Sequence, residues 1–437
     1  MDDAVLLHEM SNSVPLPRFD LFGVPPTQQM IEKDIVTEHR PISSIDPASF
    51  LQFEIKSAVD EYIDMEKLYL YLKIKIKKPA DSKLDQTKFF TSFAVVNNLL
   101  HSLIKQLDIF IGDQQFNTSS PTYAYKAYFE NLLGFSKSAK DLSYLSSALW
   151  FNDEDEKSNN VDSKRTTLFS AFKPVDLFGK LHTDLSFQGR SLLGGSKLIL
   201  RILFNEPSFY FLSDSFKPEF EFLEAAIYAH RAKVNQYVVD AHNAALSIAP
   251  AKYPITVSKV KNFTINSSAI DVNLDNVHNG QLPRRIFVAF VENSAFCGFY
   301  VKNPFYFNHF NITSLCVFLD GVQFPTKAFT PDFTNKNYVR ELHSIYEALD
   351  MLDGESNFNI NRMNYGVGNT IFGFNFTPDL SSGAGAVGHV NRIKYGTLRI
   401  ALRFSETLTT TLTALVYCEF DKILEIDIAR KVTIDLF

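Results

Sequence analysis

The chain has 437 residues, 46% hydrophobic and 21% charged, and its aromatic content is carried by 41 Phe and 18 Tyr against one Trp. That length suits two to three domains of ~150 residues, and the composition excludes a disordered chain and a helical membrane span, which needs ~18 or more consecutive apolar residues. A net charge of -6 with no basic tail or face argues against coating nucleic acid directly, because phosphate binding rests on clustered Lys and Arg.

Phe and Tyr favour pleated, half-buried surfaces, which tilts the reading towards all-β. Cys297, Cys316 and Cys418 are too few for a disulfide framework and fit a reducing compartment. The N-terminus has no basic region followed by an apolar run, so no signal peptide is predicted and the protein reads as intracellular.

Residues 1–45 contain Pro15, Pro17, Pro25, Pro26 and Pro41 and show no hydrophobic period. They predict an extended arm, read either as a disordered tail or as a segment that orders only against neighbouring subunits, docked by Phe19, Leu21 and Phe22. Phe50 to Lys56 alternates, and Leu68 to Lys77 alternates more strongly. In the latter, Leu70, Leu72, Ile74 and Ile76 face one way while Tyr71, Lys73, Lys75 and Lys77 face the other. Period two with one wet face predicts an antiparallel sheet against water, and its lysines would also guard an edge.

Lys105 to Ile111 predicts a strand ended by a turn at Gly112-Asp113. The period then becomes helical, at Tyr125, Phe129, Leu132 and Leu133 and again at Leu142, Leu145 and Leu149. Asn152 to Arg165 is polar and reads as an exposed loop. Its acidic run, Asp153 to Glu156, lacks the spaced ligands and turn glycine of a calcium loop. Leu198 to Phe204 and Phe220 to Val234 predict strands, and Gln236 to Leu246 a helical linker. Strands follow at Lys261 to Ile265, Ile286 to Val291, Leu315 to Leu319, Leu398 to Phe404 and Leu412 to Phe420, with a helix over Tyr338 to Leu349. Ile423 to Leu436 alternates as a final strand or tail.

The two halves repeat. QLDIFIGDQQF (Gln106 to Phe116) lies over SLCVFLDGVQF (Ser314 to Phe324), KLILRILFNE (Lys197 to Glu206) over TLRIALRFSE (Thr397 to Glu406), and LEAAIY (Leu223 to Tyr228) over LTALVY (Leu412 to Tyr417). The matches keep one order, with steadily shrinking separations. About eight short strands per half is the count of a jelly roll. The expected fold is therefore all-β, a double jelly roll of two tandem eight-stranded antiparallel β-sandwiches with short helices in the inter-strand loops. The expected boundaries are an arm over 1–45, a first roll over 46–235, a linker over 236–253, a second roll over 254–420 and a tail over 421–437.

No catalytic equipment is predicted. Gly383 to Gly388 matches the G-x-G-x-x-G string, but the strand before it and the helix after it are missing, so it reads as a glycine loop. The ten histidines show no metal-ligand spacing, and neither a metal nor a cofactor is predicted. Cys297 and Cys316 read as buried, inert thiols beside apolar strands.

Five segments carry a family resemblance: FGVPPTQQMIEK (Phe22 to Lys33), EHRPISSI (Glu38 to Ile45), DEYIDMEKLYLYLKIKI (Asp60 to Ile76), NNLLHSLIKQLDIFIG (Asn97 to Gly112) and YKAYFENLLGFSKSAK (Tyr125 to Lys140). Together they resemble the hexon-like major capsid proteins of Polintons (Mavericks) and adintoviruses. The resemblance runs from about Phe22 through Phe204 and more weakly to the C-terminus, and it carries no catalytic residues. It implies a pseudo-hexameric homotrimer that tiles an icosahedral shell around double-stranded DNA. Implied partners are neighbouring capsomers, penton and minor capsid proteins, with no sequence-specific nucleic acid and no membrane span. It implies residence in the virion capsid, synthesis in the host cytoplasm and assembly in cytoplasm or nucleus. The arm and tail would lie at the base, with Phe19, Leu21, Phe22, Ile423, Ile426, Ile428, Val432 and Ile434 as interface candidates. The rival reading is an intracellular two-domain β-sandwich that binds or processes glycans, which acidic pairs in a cleft between the domains would favour.

Overall fold

The structure is a computed structural model that describes residues 21–78, 89–90, 92–116, 120–136, 139–140, 144–151, 163–213, 217–351, 360–381 and 389–435. Its first half runs β1 (Ile31–His39), β2 (Leu51–Lys56), β3 (Glu61–Ile76), β4 (Phe93–Val95), β5 (Ile104–Ile111), β6 (Gln114–Gln115), α1 (Tyr123–Gly134), β7 (Val175–Lys180), β8 (Lys197–Phe204), β9 (Phe211–Ser213) and β10 (Phe220–Val234). After α2 (Gln236–Leu246) come β11 (Ala251–Ile265), β12 (Asp271–Gln281), β13 (Arg285–Glu292), β14 (Ile312–Leu319), β15 (Val322–Phe329), α3 (Val339–Leu349), β16 (Ile371–Asn375), β17 (Tyr395–Phe404), β18 (Leu412–Ile426) and β19 (Val432–Asp435).

The first half folds into two antiparallel sheets, β1-β10-β3-β7 and β2-β8-β5-β6, with β4 and β9 paired to one side. The second half gives β11-β18-β13-β16, extended by β19 on β18, and β12-β17-β14-β15. With β4, β9 and β19 set aside, the two halves share one wiring. The first, eighth, third and sixth strands make one sheet, and the second, seventh, fourth and fifth make the other. This is the jelly roll, present twice. The three sequence repeats fall on equivalent strands: β5–β6 with β14–β15, β8 with β17, and β10 with β18.

Alternation explains why these segments fold as sandwich walls. β8 alternates half-buried and buried residues along its whole length, and β17 does the same from Leu398 to Leu402. Leu198, Leu200, Ile202 and Phe204 meet Leu51, Phe53, Ile55, Leu70, Leu72 and Ile74 in one continuous core. Both strands are flanked on each side, so each inward side chain is fixed by two neighbours. The β14–β15 turn places Asp320 (φ 49) and Gly321 (φ 81) in the left-handed region, the geometry that matches the twist of a hairpin.

Several expectations are corrected. The arm is not wholly irregular: Ile31–His39 forms β1, an edge strand on β10. Its prolines all lie outside that span, and they forbid helix without forbidding an edge strand. β3 is not an edge; β10 and β7 flank it, and Lys73, Lys75 and Lys77 face Glu224, Glu221 and Glu219. The Asn152 to Arg165 loop ends in a short helix from Ser163, and Arg165 is fully buried, donating to the Val95 carbonyl at 2.9 Å. In place of a helix through Leu145 and Leu149 there is one 3-10 turn, Tyr144–Ala148, and Leu142 lies outside the described residues. The second roll's first strand begins at Ala251, and the boundary expected at 421 falls inside β18. Cys297 is exposed rather than buried, Cys316 is buried as expected, and Cys418 is buried too. The Gly383 to Gly388 loop and Asp153 to Glu156 lie outside the described residues.

Candidate functional site

The two rolls meet along α1. Its apolar period buries Tyr125, Tyr128 and Phe129 against loops and strands of the second roll. Tyr128 stacks on Phe305 with ring centres 4.2 Å apart and planes 4° apart. Phe129 stacks on Phe307 at 5.2 Å and on Tyr417 of β18 at 5.5 Å, and Tyr125 stacks on Phe296 at 5.5 Å. Aromatic pairs of this kind each add ~0.5–1.5 kcal/mol beyond area burial, so the seam is a second core rather than a hinge.

One turn apart on the same helix, Lys126 and Glu130 insert charge into that core. The Lys126 ammonium donates to Asp184 and lies 3.9 Å from Glu130. Asp184 also accepts the Ser258 backbone N–H of β11 at 3.2 Å, which ties the ion pair across the seam. Burial opposes the charge of Lys126, but Asp184 and Glu130 outweigh it and raise its pKa. Burial pushes the Glu130 carboxyl up to about 7. It pushes His182 down to about 3, with Lys126 and Lys180 adding to the effect. His182 is therefore a neutral imidazole, bonded through Nδ1 to Glu130 at 2.7 Å and packed edge-on against His101 at 4.6 Å.

A second ionic knot lies on β18. Glu419 accepts guanidinium N–H bonds from Arg285 at 2.6 and 3.1 Å and from Arg284 at 2.7 and 3.2 Å. Burial would raise its carboxyl, yet the two arginines hold it at about 2. The β18–β19 turn completes the junction: Arg430 donates to the Gly194 carbonyl of the first roll at 2.9 Å. Gly194 must be glycine here, since a Cβ would come within 2.1 Å of the Val59 carbonyl oxygen.

A cleft of about 280 Å³ opens where the β11 edge faces the first roll. Leu107, Ile109 and Phe116 supply apolar lining, and Lys126, Lys259, Lys261 and Lys422 supply cations. Asp184 is the one carboxylate among its described lining residues. Glycosidic chemistry needs two carboxyl groups facing one site, and this cleft presents lysines instead. Among the described residues no group of three or more metal-ligating side chains occurs, and no helix is long and apolar enough to cross a membrane.

The interface candidates separate into three groups. Leu21, Phe22 and Ile428 stand out in solvent, Phe22 at 97% exposure, and Ile434 is partly exposed at the mouth of the cleft. Ile423 is half-buried. Ile426 and Val432 are corrected: they pair with each other in the β18–β19 ladder and face the core, so they are not available to a partner. The alternation that nominated them reports which face is apolar, not what covers it. Phe19 lies outside the described residues. Sequence reasoning missed Asp184, His182 and the lysine cleft. Lys126 and Glu130 left a signal, as a charged i,i+4 pair inside an apolar helix.

No family model matches the chain. An uncharacterised protein of Caenorhabditis elegans is 27% identical over 361 residues, covering 80% of this chain and 83% of that protein. Among solved structures, that of the Sputnik virophage aligns over 100% of this chain and 94% of its own, at TM-score 0.57 and 10% identity. The PBCV-1 virus capsid aligns over 95% and 99% at TM-score 0.59, and the mavirus major capsid protein over 99% and 96% at 0.53, each at 10% identity. At that identity the likeness is one of fold, and the alignments cover both rolls.

Proposed function

We propose that this chain is a major capsid protein that self-assembles as pseudo-hexameric homotrimers, and that these tile an icosahedral shell around double-stranded DNA. The observation that carries the proposal is the doubled wiring. Two jelly rolls of identical strand order are locked side by side by one aromatic and ionic seam. Three such chains around an axis present six similar walls, which fits hexagonal packing. The end-to-end likeness of fold to the mavirus and PBCV-1 capsid proteins supports this reading.

We assign residues 31–234 and 251–426 to the two rolls, and the exposed Leu21, Phe22 and Ile428 to contacts between subunits at the base. A side chain such as Phe22, almost wholly in water in the single chain, gains from a partner's apolar surface. The five sequence segments favour the Polinton and adintovirus type, with penton and minor capsid proteins as further partners and the virion as its location. Obligate interfaces of this kind commonly exceed ~2,000 Å². Light scattering on the purified chain is expected to return three times the 49.6 kDa of one chain. A monodisperse 49.6 kDa species at micromolar protein sinks the proposal.

A further inference from the structure

Of the inter-roll cleft's four lysines, only Lys126 takes part in the seam's ion pairs. Lys126 is spent on Asp184 and Glu130. Lys259, Lys261 and Lys422 line the same cleft without a carboxylate within ion-pair distance among the described residues. Lys261 turns instead to neutral acceptors, the Val277 carbonyl at 2.8 Å and His278 Nδ1 at 2.8 Å. All three lysines are half-buried, and none lies on a freely solvated face. Their positive charges oppose one another: Lys259 works against the charge of both Lys261 and Lys422, on top of burial. Like charges held together in a partly dry cleft cost free energy that a folded protein has no structural reason to carry.

We propose that this cleft is a binding site for a small multivalent phosphate anion. Three ammonium groups with no carboxylate partner among the described residues call for several negative charges on one ligand. The cleft volume, room for about nine waters at ~30 Å³ each, exceeds what one orthophosphate fills and suits linked phosphate groups. The apolar lining from Leu107, Ile109 and Phe116 lowers the local dielectric and strengthens each ammonium–phosphate contact. Because residues of both rolls line the site, a bound anion also braces the junction between them. This inference does not depend on the capsid proposal.

The test is calorimetric titration of the full chain with sodium tripolyphosphate, with orthophosphate and with chloride at matched ionic strength, in about 0.15 M salt. Saturable one-to-one binding of tripolyphosphate, weaker binding of orthophosphate and none of chloride are expected. Loss of each charged contact weakens binding roughly tenfold or more. Lys259→Gln alone is therefore expected to lower affinity about tenfold, and the triple change Lys259→Gln, Lys261→Gln, Lys422→Gln to abolish measurable binding. Lys173→Gln, on an exposed turn away from the cleft, is expected to leave affinity unchanged. Without ligand the triple variant is expected to melt no lower than the parent, since repulsion has been removed. Should it fail to fold, the single Lys259→Gln variant decides. No heat of binding for tripolyphosphate, or equal affinity in parent and Lys259→Gln, overturns the proposal.

Discussion

Glu419 sits 5% exposed between two arginines and accepts four N–H bonds from them. Truncating one partner of a buried ion cluster costs ~3–5 kcal/mol, because the remaining charges stay buried and unpaired. Glu419→Gln is therefore expected to lower unfolding free energy by about that amount in denaturant titration at neutral pH. The sign of the pH dependence follows from its carboxyl being held at about 2 against an ordinary 4.5. Its contribution is fully present above pH 4.5 and is lost as pH falls towards 2, where the unfolded chain takes up the proton first. The stability difference between parent and variant should shrink across that window. A constant difference down to pH 2 would mean that Glu419 binds its proton equally well in the folded and unfolded chain, and so would contradict the arginines' hold on it. None of this was legible in the sequence. Glu419 lies in an apolar strand, and its charge makes sense only once Arg284 and Arg285, more than a hundred residues earlier, are beside it.

Among elements, strands and repeats were readable because period two is a local property. β8 and β17 carry alternation, β10 and β18 were visible as apolar strand-like runs, and α1 and α3 as helices. β1 was hidden by the prolines around it, and the pairing of β19 back onto β18 by the absence of any glycine or asparagine turn signal in Asp427 to Lys431. What α1 does could not be read from its period. The same spacing that predicts a buried face does not say that Phe305 and Phe307 of the other roll cover it. Because that face is shared, the rolls are expected to unfold together. Replacing Tyr128 by Ala removes the 4.2 Å stack on Phe305 and should cost about 3–5 kcal/mol, the range for large-to-small core changes. Differential scanning calorimetry should show one transition for the parent and a lower, broadened or split transition for the variant. A parent that already melts in two steps would contradict the seam's role.

At the scale of the whole molecule, duplication is the feature that sequence and structure state in common. Three matched segments foretold it, and the strand order of the four sheets displays it in full. The surfaces that would join chains left no such trace, because a side chain's partner in another subunit imposes no period on its own strand. Two of the nominated residues, Ile426 and Val432, proved to be core, while Phe22 and Ile428 face solvent. The central claim is that two rolls per chain become six walls per particle. Electron micrographs of the purified, negatively stained chain test it most directly. Class averages should show threefold particles with six similar lobes around one axis, alone or packed in hexagonal arrays. Single two-lobed particles at every protein concentration would contradict the account.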